Sequence, residues 1–137
     1  MKPRLYGRLA IASLFAVLAC GSDSTSPGNS VAGTYTLRTV NGANLPFTIF
    51  QFGSDKTEII SESVVLTEAG RFTQTGTLRV TTSGIANTVP YSDAGSYTLN
   101  GTAGTFTFDS DGSSGTGTIV NGTITVAYAG NSFVYRK

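Results

Sequence analysis

From Thr34 to the C-terminal Lys137 the chain changes character at every second residue, and glycine-containing turns cut this alternation into short runs. A period of two is the mark of β-strands with one buried face. "TYTLRTV" (34–40) puts Tyr35 and Leu37 on one face and threonines with Arg38 on the other. "RFTQTGTLRV" (71–80) aligns Phe72, Leu78 and Val80, with Gln74 the one polar residue at that parity. Tyr97 aligns with Leu99, and Phe106 with Phe108; Ile124, Val126 and Tyr128 align, as do Phe133 and Tyr135. Threonine and aromatic residues favour strands by propensity as well. Residues 46–66 are strand-like but irregular: Phe47, Ile49, Phe50 and Phe52 occupy both faces, which predicts a bulge or a crossing between sheets.

Asn41-Gly42, Asn100-Gly101 and Asn121-Gly122 are Asn-Gly pairs, the strongest short hairpin signal, because both residues tolerate positive φ. "EAGR" (68–71), "AGNS" (129–132) and "DSDGSSG" (109–115) also read as hairpin turns. Short strands joined this way predict an all-β fold: an antiparallel up-and-down meander of about eight or nine strands, closed or nearly closed into a barrel. A membrane-spanning barrel fits poorly, since its strands need about 9–11 residues and an apolar outer face. Here one face is threonine and arginine. "GTYTLRTVNG" (33–42) echoes "GSYTLNG" (95–101), as strand-turn grammar alone can produce.

The N-terminal stretch has a different logic. Lys2, Arg4 and Arg8 precede an uncharged apolar run, Leu9 to Ala19, too short for the roughly 20 residues of a spanning helix but suited to a signal-peptide core. Its end, "VLAC" (17–20), resembles the bacterial lipobox. The resemblance implies a diacylglyceryl group on the Cys20 sulfur, cleavage before Cys20 and acylation of the new amine. Two or more acyl chains anchor stably where one does not. In many Gram-negative bacteria an Asp after the cysteine retains the lipoprotein at the inner membrane; Gly21 in its place implies, if the envelope is of that kind, the outer membrane, facing the periplasm or the cell surface. "GSDSTSPGNS" (21–30) has no apolar side chain to bury and reads as a tether, reaching about 30 Å if extended. The expected organisation is a signal peptide over 1–19, an acylated cysteine and linker over 20–30, and one β-domain over 31–137.

Within that domain, "AGTYTLRTVNGANLP" (32–46), the spacing through Val65 to Thr75, "DAGSYTLNG" (93–101) and the terminal "FVYRK" (133–137) resemble small bacterial lipocalin-like lipoproteins. Gly33-Thr34-Tyr35 stands where lipocalins carry Gly-x-Trp. The resemblance implies a barrel in which a basic residue near the end of the last strand, here Arg136, packs over that aromatic ring.

Much chemistry is excluded. The chain has no His and a single Cys, so no Cys-His or Ser-His-Asp set can be built, and no internal disulfide. No catalytic residue, metal site or cofactor is expected, and the protein is not expected to be an enzyme. Glu58 and Glu62 share a parity, as paired carboxylates could, but read more simply as a solvated edge. "DSDG" (109–112) lacks the spacing of a calcium loop, with Val120 where the bidentate Glu would stand. The sequons at Asn100 and Asn121 follow from Asn-Gly turns before threonine. Without the three basic residues of the signal, six basic residues face eight acidic ones, so neither a nucleic-acid footprint nor a patch for anionic lipid is present.

Two functions fit a chain of this kind, expected to be monomeric and held to the membrane through its acyl chains. One is a barrel binding a small apolar ligand among Tyr35, Phe72, Gln74, Tyr97, Phe106, Phe108, Tyr128 and Tyr135. The other is an envelope structural or protein-interaction module with a filled core. Interior volume separates the two.

Overall fold

The structure, a computed structural model, describes residues 30–137. The signal, Cys20 and nearly all of the tether lie outside the described residues.

Ten strands follow in chain order: β1 (Gly33–Val40), β2 (Ala43–Asn44), β3 (Phe47–Phe52), β4 (Asp55–Leu66), β5 (Arg71–Thr82), β6 (Ile85–Asn100), β7 (Ala103–Phe108), β8 (Ser114–Val120), β9 (Thr123–Tyr128) and β10 (Asn131–Arg136). All pairings are antiparallel. From β4 to β10 each strand pairs with the next, and β1 pairs with β10 on one side and β4 on the other. Eight strands thus close a ring, and β2 and β3 add to it from outside. Closure removes the open edges that make a lone sheet prone to aggregate.

The turns read from the sequence are present, with one refinement, and Gly53-Ser54 and Ser83-Gly84 add two that were not read. Asn41-Gly42, Ser83-Gly84, Asn121-Gly122 and Ala129-Gly130 each place both residues at positive φ. This is the mirror-image turn whose twist matches that of paired strands. At Asn100-Gly101 only Gly101 has positive φ. Asn100 is the last strand residue, paired with Ala103, and the two-residue loop is Gly101-Thr102.

The strands are unequal. β4, β5 and β6 have 12, 12 and 16 residues, whereas β7 to β10 have six or seven. The surplus forms a wing at one end of the ring: β3, the first half of β4, the second half of β5 and the first half of β6. The sequence reading placed a strand only at the end of β6, where Tyr97 aligns with Leu99. β7 pairs only with Gly95–Asn100, so the Pro90 stretch is an edge, bonded to β5 alone. An edge is where a strand tolerates proline.

Two irregularities bend the wing onto the ring. The register slips in β3 between Thr48 and Phe50 and in β4 between Ile59 and Ser61. Both lie in the stretch where a bulge or crossing is predicted. The second slip inverts the faces of β4. Thr57 and Ile59 share the inner face before it, and Glu62, Val64 and Leu66 after it.

The core is a cluster that includes Leu66 and, from the alternation positions read in the sequence, Tyr35, Leu37, Phe72, Tyr97, Phe106, Ile124 and Tyr135; Leu99, read on the same face as Tyr97, is exposed. At the base of the barrel, the end holding Gly33, the β4–β5 turn and Lys137, the rings of Tyr35 and Tyr97 close the core, and a second hollow of about 700 Å³ lies there beside Tyr35, between Val31, Ile119, Gly122 and Lys137. There the Tyr35 hydroxyl donates to the Val31 carbonyl at 2.6 Å and the Tyr97 hydroxyl to the Thr67 carbonyl at 2.6 Å. Both phenols are thereby satisfied. The cation over Tyr35 is Lys137, not Arg136. Its Nζ lies 5.6 Å from the ring centroid and donates to the carbonyls of Ser30 at 3.0 Å and Ala32 at 2.6 Å. Arg136 is exposed, because the alternation of β10 that buries Tyr135 turns its neighbour outward.

Candidate ligand site

The filling stops halfway up. Phe72 meets Phe106 edge-on at 6.0 Å and Phe108 at 5.3 Å, and Phe108 leans on Tyr128 at 5.0 Å. These rings make a floor and one wall. Above them the barrel encloses a cavity of about 540 Å³ that opens between the turns at Asp109–Ser113 and Ala129-Gly130. Small-molecule sites span about 300–1,000 Å³. Ile59, Val64, Leu78, Ile124, Val126 and Phe133 supply the remaining apolar lining.

Strand pairing brings the lining together row by row. Phe72 pairs with Leu66 and Gly95, and Gln74 lies between Val64 and Asp93. Gly76 lies between Glu62 and Tyr91, and Leu78 between Ile59 and Val89. Farther out, on the wing, the same face carries Val80 beside Thr57, itself opposite Phe50. At the tip stand Phe52 opposite Asp55 and Thr82 opposite Ile85. The inner wall of the cavity therefore continues outward as an apolar ramp. Phe50 is 59% exposed, Ile85 67% and Phe52 79%.

Glu62 is the polar centre of the site. It is 4% exposed. One carboxylate oxygen accepts a hydrogen bond from the Tyr135 hydroxyl and the other from the Tyr91 hydroxyl. Gly76 makes the second bond possible. A Cβ there would stand 2.5 Å from Tyr91 Cζ and 2.6 Å from its hydroxyl, so only glycine lets the ring lie flat over β5 and reach Glu62. Burial first, and then the negative charge of Glu62, push both phenols well above the usual tyrosine range. Both are therefore held as O–H donors.

Glu58 has a different fate. It is 6% exposed, yet it lies on the outer face of the wing under Arg79 at 2.8 Å and Lys56 at 3.1 Å. The Arg79 hydrogen bond above all, with help from Lys56 and against the effect of burial, pulls its carboxyl down to about 2. The two glutamates do not form a catalytic pair: the slip between Ile59 and Ser61 sends them to opposite faces. Neither is a solvated edge residue.

Of the residues read from the sequence as ligand-binding, Phe72, Gln74, Phe106, Phe108, Tyr128 and Tyr135 line the cavity. Tyr35 and Tyr97 belong to the base. Cys20 lies outside the described residues. Sequence reasoning missed Tyr91 and Asp93 because the first half of β6 was not read as a strand. A signal was present: Gly76 interrupts an alternating strand, and such a glycine marks a close approach by something else. Asp93 stands at the side of the cavity, accepting from the Ala94 amide and from Ser110 Oγ, both at 2.7 Å. Asp111, at the mouth, accepts from the Ser113 amide at 2.8 Å. Among the described residues no three His, Cys, Asp or Glu side chains gather as metal ligands.

A scan against models of known protein families finds no match for this chain, and a search of curated proteins finds none.

Proposed function

We propose that this is a lipid-anchored protein of the bacterial cell envelope whose barrel holds a small, largely apolar molecule. The observation that carries the reading is the half-filled interior. A structural barrel of this size has no need of a hollow, since every unfilled space forfeits packing contacts. Here seven aromatic rings, those of Phe72, Tyr91, Phe106, Phe108, Tyr128, Phe133 and Tyr135, surround open volume. The lipobox-like "VLAC" and the polar tether behind it support the anchor and the outer-membrane address. No catalytic role is assigned.

The alternative, a protein-interaction module, draws on the exposed apolar side chains of the wing, Phe50, Phe52 and Ile85. A single experiment separates the two. The uncharged fluorophore N-phenyl-1-naphthylamine is titrated into protein beginning at Ser30. The ligand reading requires saturable binding at one probe per barrel, abolished by the cavity-filling change Val126→Trp in a protein whose circular dichroism is unaltered. Binding that survives Val126→Trp but is lost on Phe50→Ser with Phe52→Ser would move the function to the wing. The anchor has its own test. Cys20→Ser should abolish labelling by radioactive palmitate and release the protein from membranes.

A further inference from the structure

The cavity is one-sided in charge. Glu62 sits deep in it, Asp93 at its side and Asp111 at its mouth, and no Lys or Arg lines it. The basic side chains of the described residues are engaged or placed elsewhere. Lys56 and Arg79 serve Glu58 on the outer face of the wing, and Arg71 pairs with Asp109. Lys137 lies over Tyr35 at the base. Arg38 and Arg136 are exposed on β1 and β10.

Glu62 is thus a buried carboxylate with two hydroxyl donors and no cation. Two O–H bonds occupy about half of the lone-pair sites of a carboxylate. They leave its charge unbalanced in surroundings where an unpaired charge is costly. The groups that touch it, the hydroxyls of Tyr91 and Tyr135, bring no competing charge, and the aromatic rings that line the rest of the cavity can attract a cation. A second anion brought beside Glu62 would meet repulsion that water does not screen. The lining therefore disfavours fatty acids and other anionic amphiphiles, although its walls are apolar enough for an acyl chain. The apolar walls around Glu62 favour an organic cation over a bare metal ion.

We propose that the ligand of this barrel is a hydrophobic amine: a protonated nitrogen at Glu62, between Tyr91 and Tyr135, and an apolar body over Phe72, Phe106 and Phe108. This rests on the cavity being a ligand site, as argued above, and adds the sign of the ligand's charge. No covalent step is involved. Asp111 and Asp93 form a path of the same sign from mouth to depth, which raises the local concentration of cations.

The test compares three molecules of one chain length, octylamine, octanol and octanoate, as competitors of N-phenyl-1-naphthylamine at pH 7.5 in low salt. The expected order is octylamine, then octanol, then octanoate, with at least a tenfold gap between amine and carboxylate. Glu62→Gln should bring octylamine down to the level of octanol and leave octanol unchanged. The comparison on the unaltered protein is decisive even if that variant fails to fold. Octanoate equal to or tighter than octylamine overturns the proposal, as does an amine preference that survives Glu62→Gln. Probe binding with the wrong order refutes only the charge. Absence of probe binding refutes the ligand site itself, and the amine with it.

Discussion

Tyr91 reaches Glu62 by lying flat across Gly76, so that three neighbouring strands supply one hydrogen bond and the space it needs. In Gly76→Ala the new methyl group and the Tyr91 ring cannot both stay in place. The ring must swing out and lose Glu62. A loss of about 1–3 kcal/mol is expected in urea denaturation, the usual cost of leaving a buried polar group without its partner. Because Tyr91→Phe removes the same bond, the double variant should lose clearly less than the sum of the two singles.

The same site makes the protein sensitive to alkali. The Tyr91 and Tyr135 phenols are raised above their unfolded value of 10.0. A raised group stabilises fully below its unfolded pKa and loses that contribution as pH climbs toward the folded one. Stability should be level through neutral pH and fall above about pH 10, where unfolded tyrosine ionises. Of the five tyrosines in residues 30–137, Tyr35 and Tyr97 are raised too, by burial first, so absorbance at 295 nm should show Tyr91 and Tyr135 among those that ionise only together with unfolding. In Tyr91→Phe with Tyr135→Phe the alkaline fall should be shallower.

Acid acts through Glu58. Its carboxyl lies at about 2, below the unfolded value of 4.5, because Arg79 and then Lys56 bind the charged form. A lowered group contributes above its unfolded pKa and loses that contribution as pH falls. Glu58→Gln should therefore be less stable than the parent at pH 7. The gap should narrow from pH 4.5 downward and close near pH 2, as read from urea midpoints measured across that range.

The half-filled interior predicts a gradient of truncation costs. Phe106, 5% exposed, packs between Phe72 and Tyr97 at the floor, so Phe106→Ala should cost about 3–5 kcal/mol. Phe133 lines the cavity with open space on one side. Its ring has fewer partners to lose, and Phe133→Ala should cost about 1–2 kcal/mol. Equal costs at the two positions would mean a barrel packed to its mouth.

Much of this architecture was legible in the sequence, and the gaps have physical causes. Where strands are regular, parity alone located Phe72, Phe106, Phe108, Tyr128 and Tyr135 on the inner face. Asn41-Gly42 and Asn121-Gly122 fixed two hairpins through φ preference. Parity fails wherever one residue is inserted, because the count that follows is inverted. The slip between Ile59 and Ser61 made Glu58 and Glu62 look like partners and hid the inward path of Glu62. Edge strands were illegible for another reason. The first half of β6 shows no clean alternation and carries Pro90, which a strand tolerates at an edge, and only the topology shows that this stretch has a single neighbour. At the C-terminus, Lys137 takes the place expected of Arg136 because strand alternation had already turned Arg136 outward.

Two hollows lie in this barrel, one above Phe72 and Phe106 and one beside Tyr35 at the base, and the proposed function places the ligand in the upper one. Amide and methyl chemical shifts of the protein from Ser30 onward, recorded by NMR during titration with octylamine, test it most directly. The account predicts saturable shifts at Val64, Ile124, Val126 and Phe133, with Tyr35 and Tyr97 at the base unmoved. Shifts confined to Phe50, Phe52 and Ile85 on the wing, or none that saturate, would contradict it.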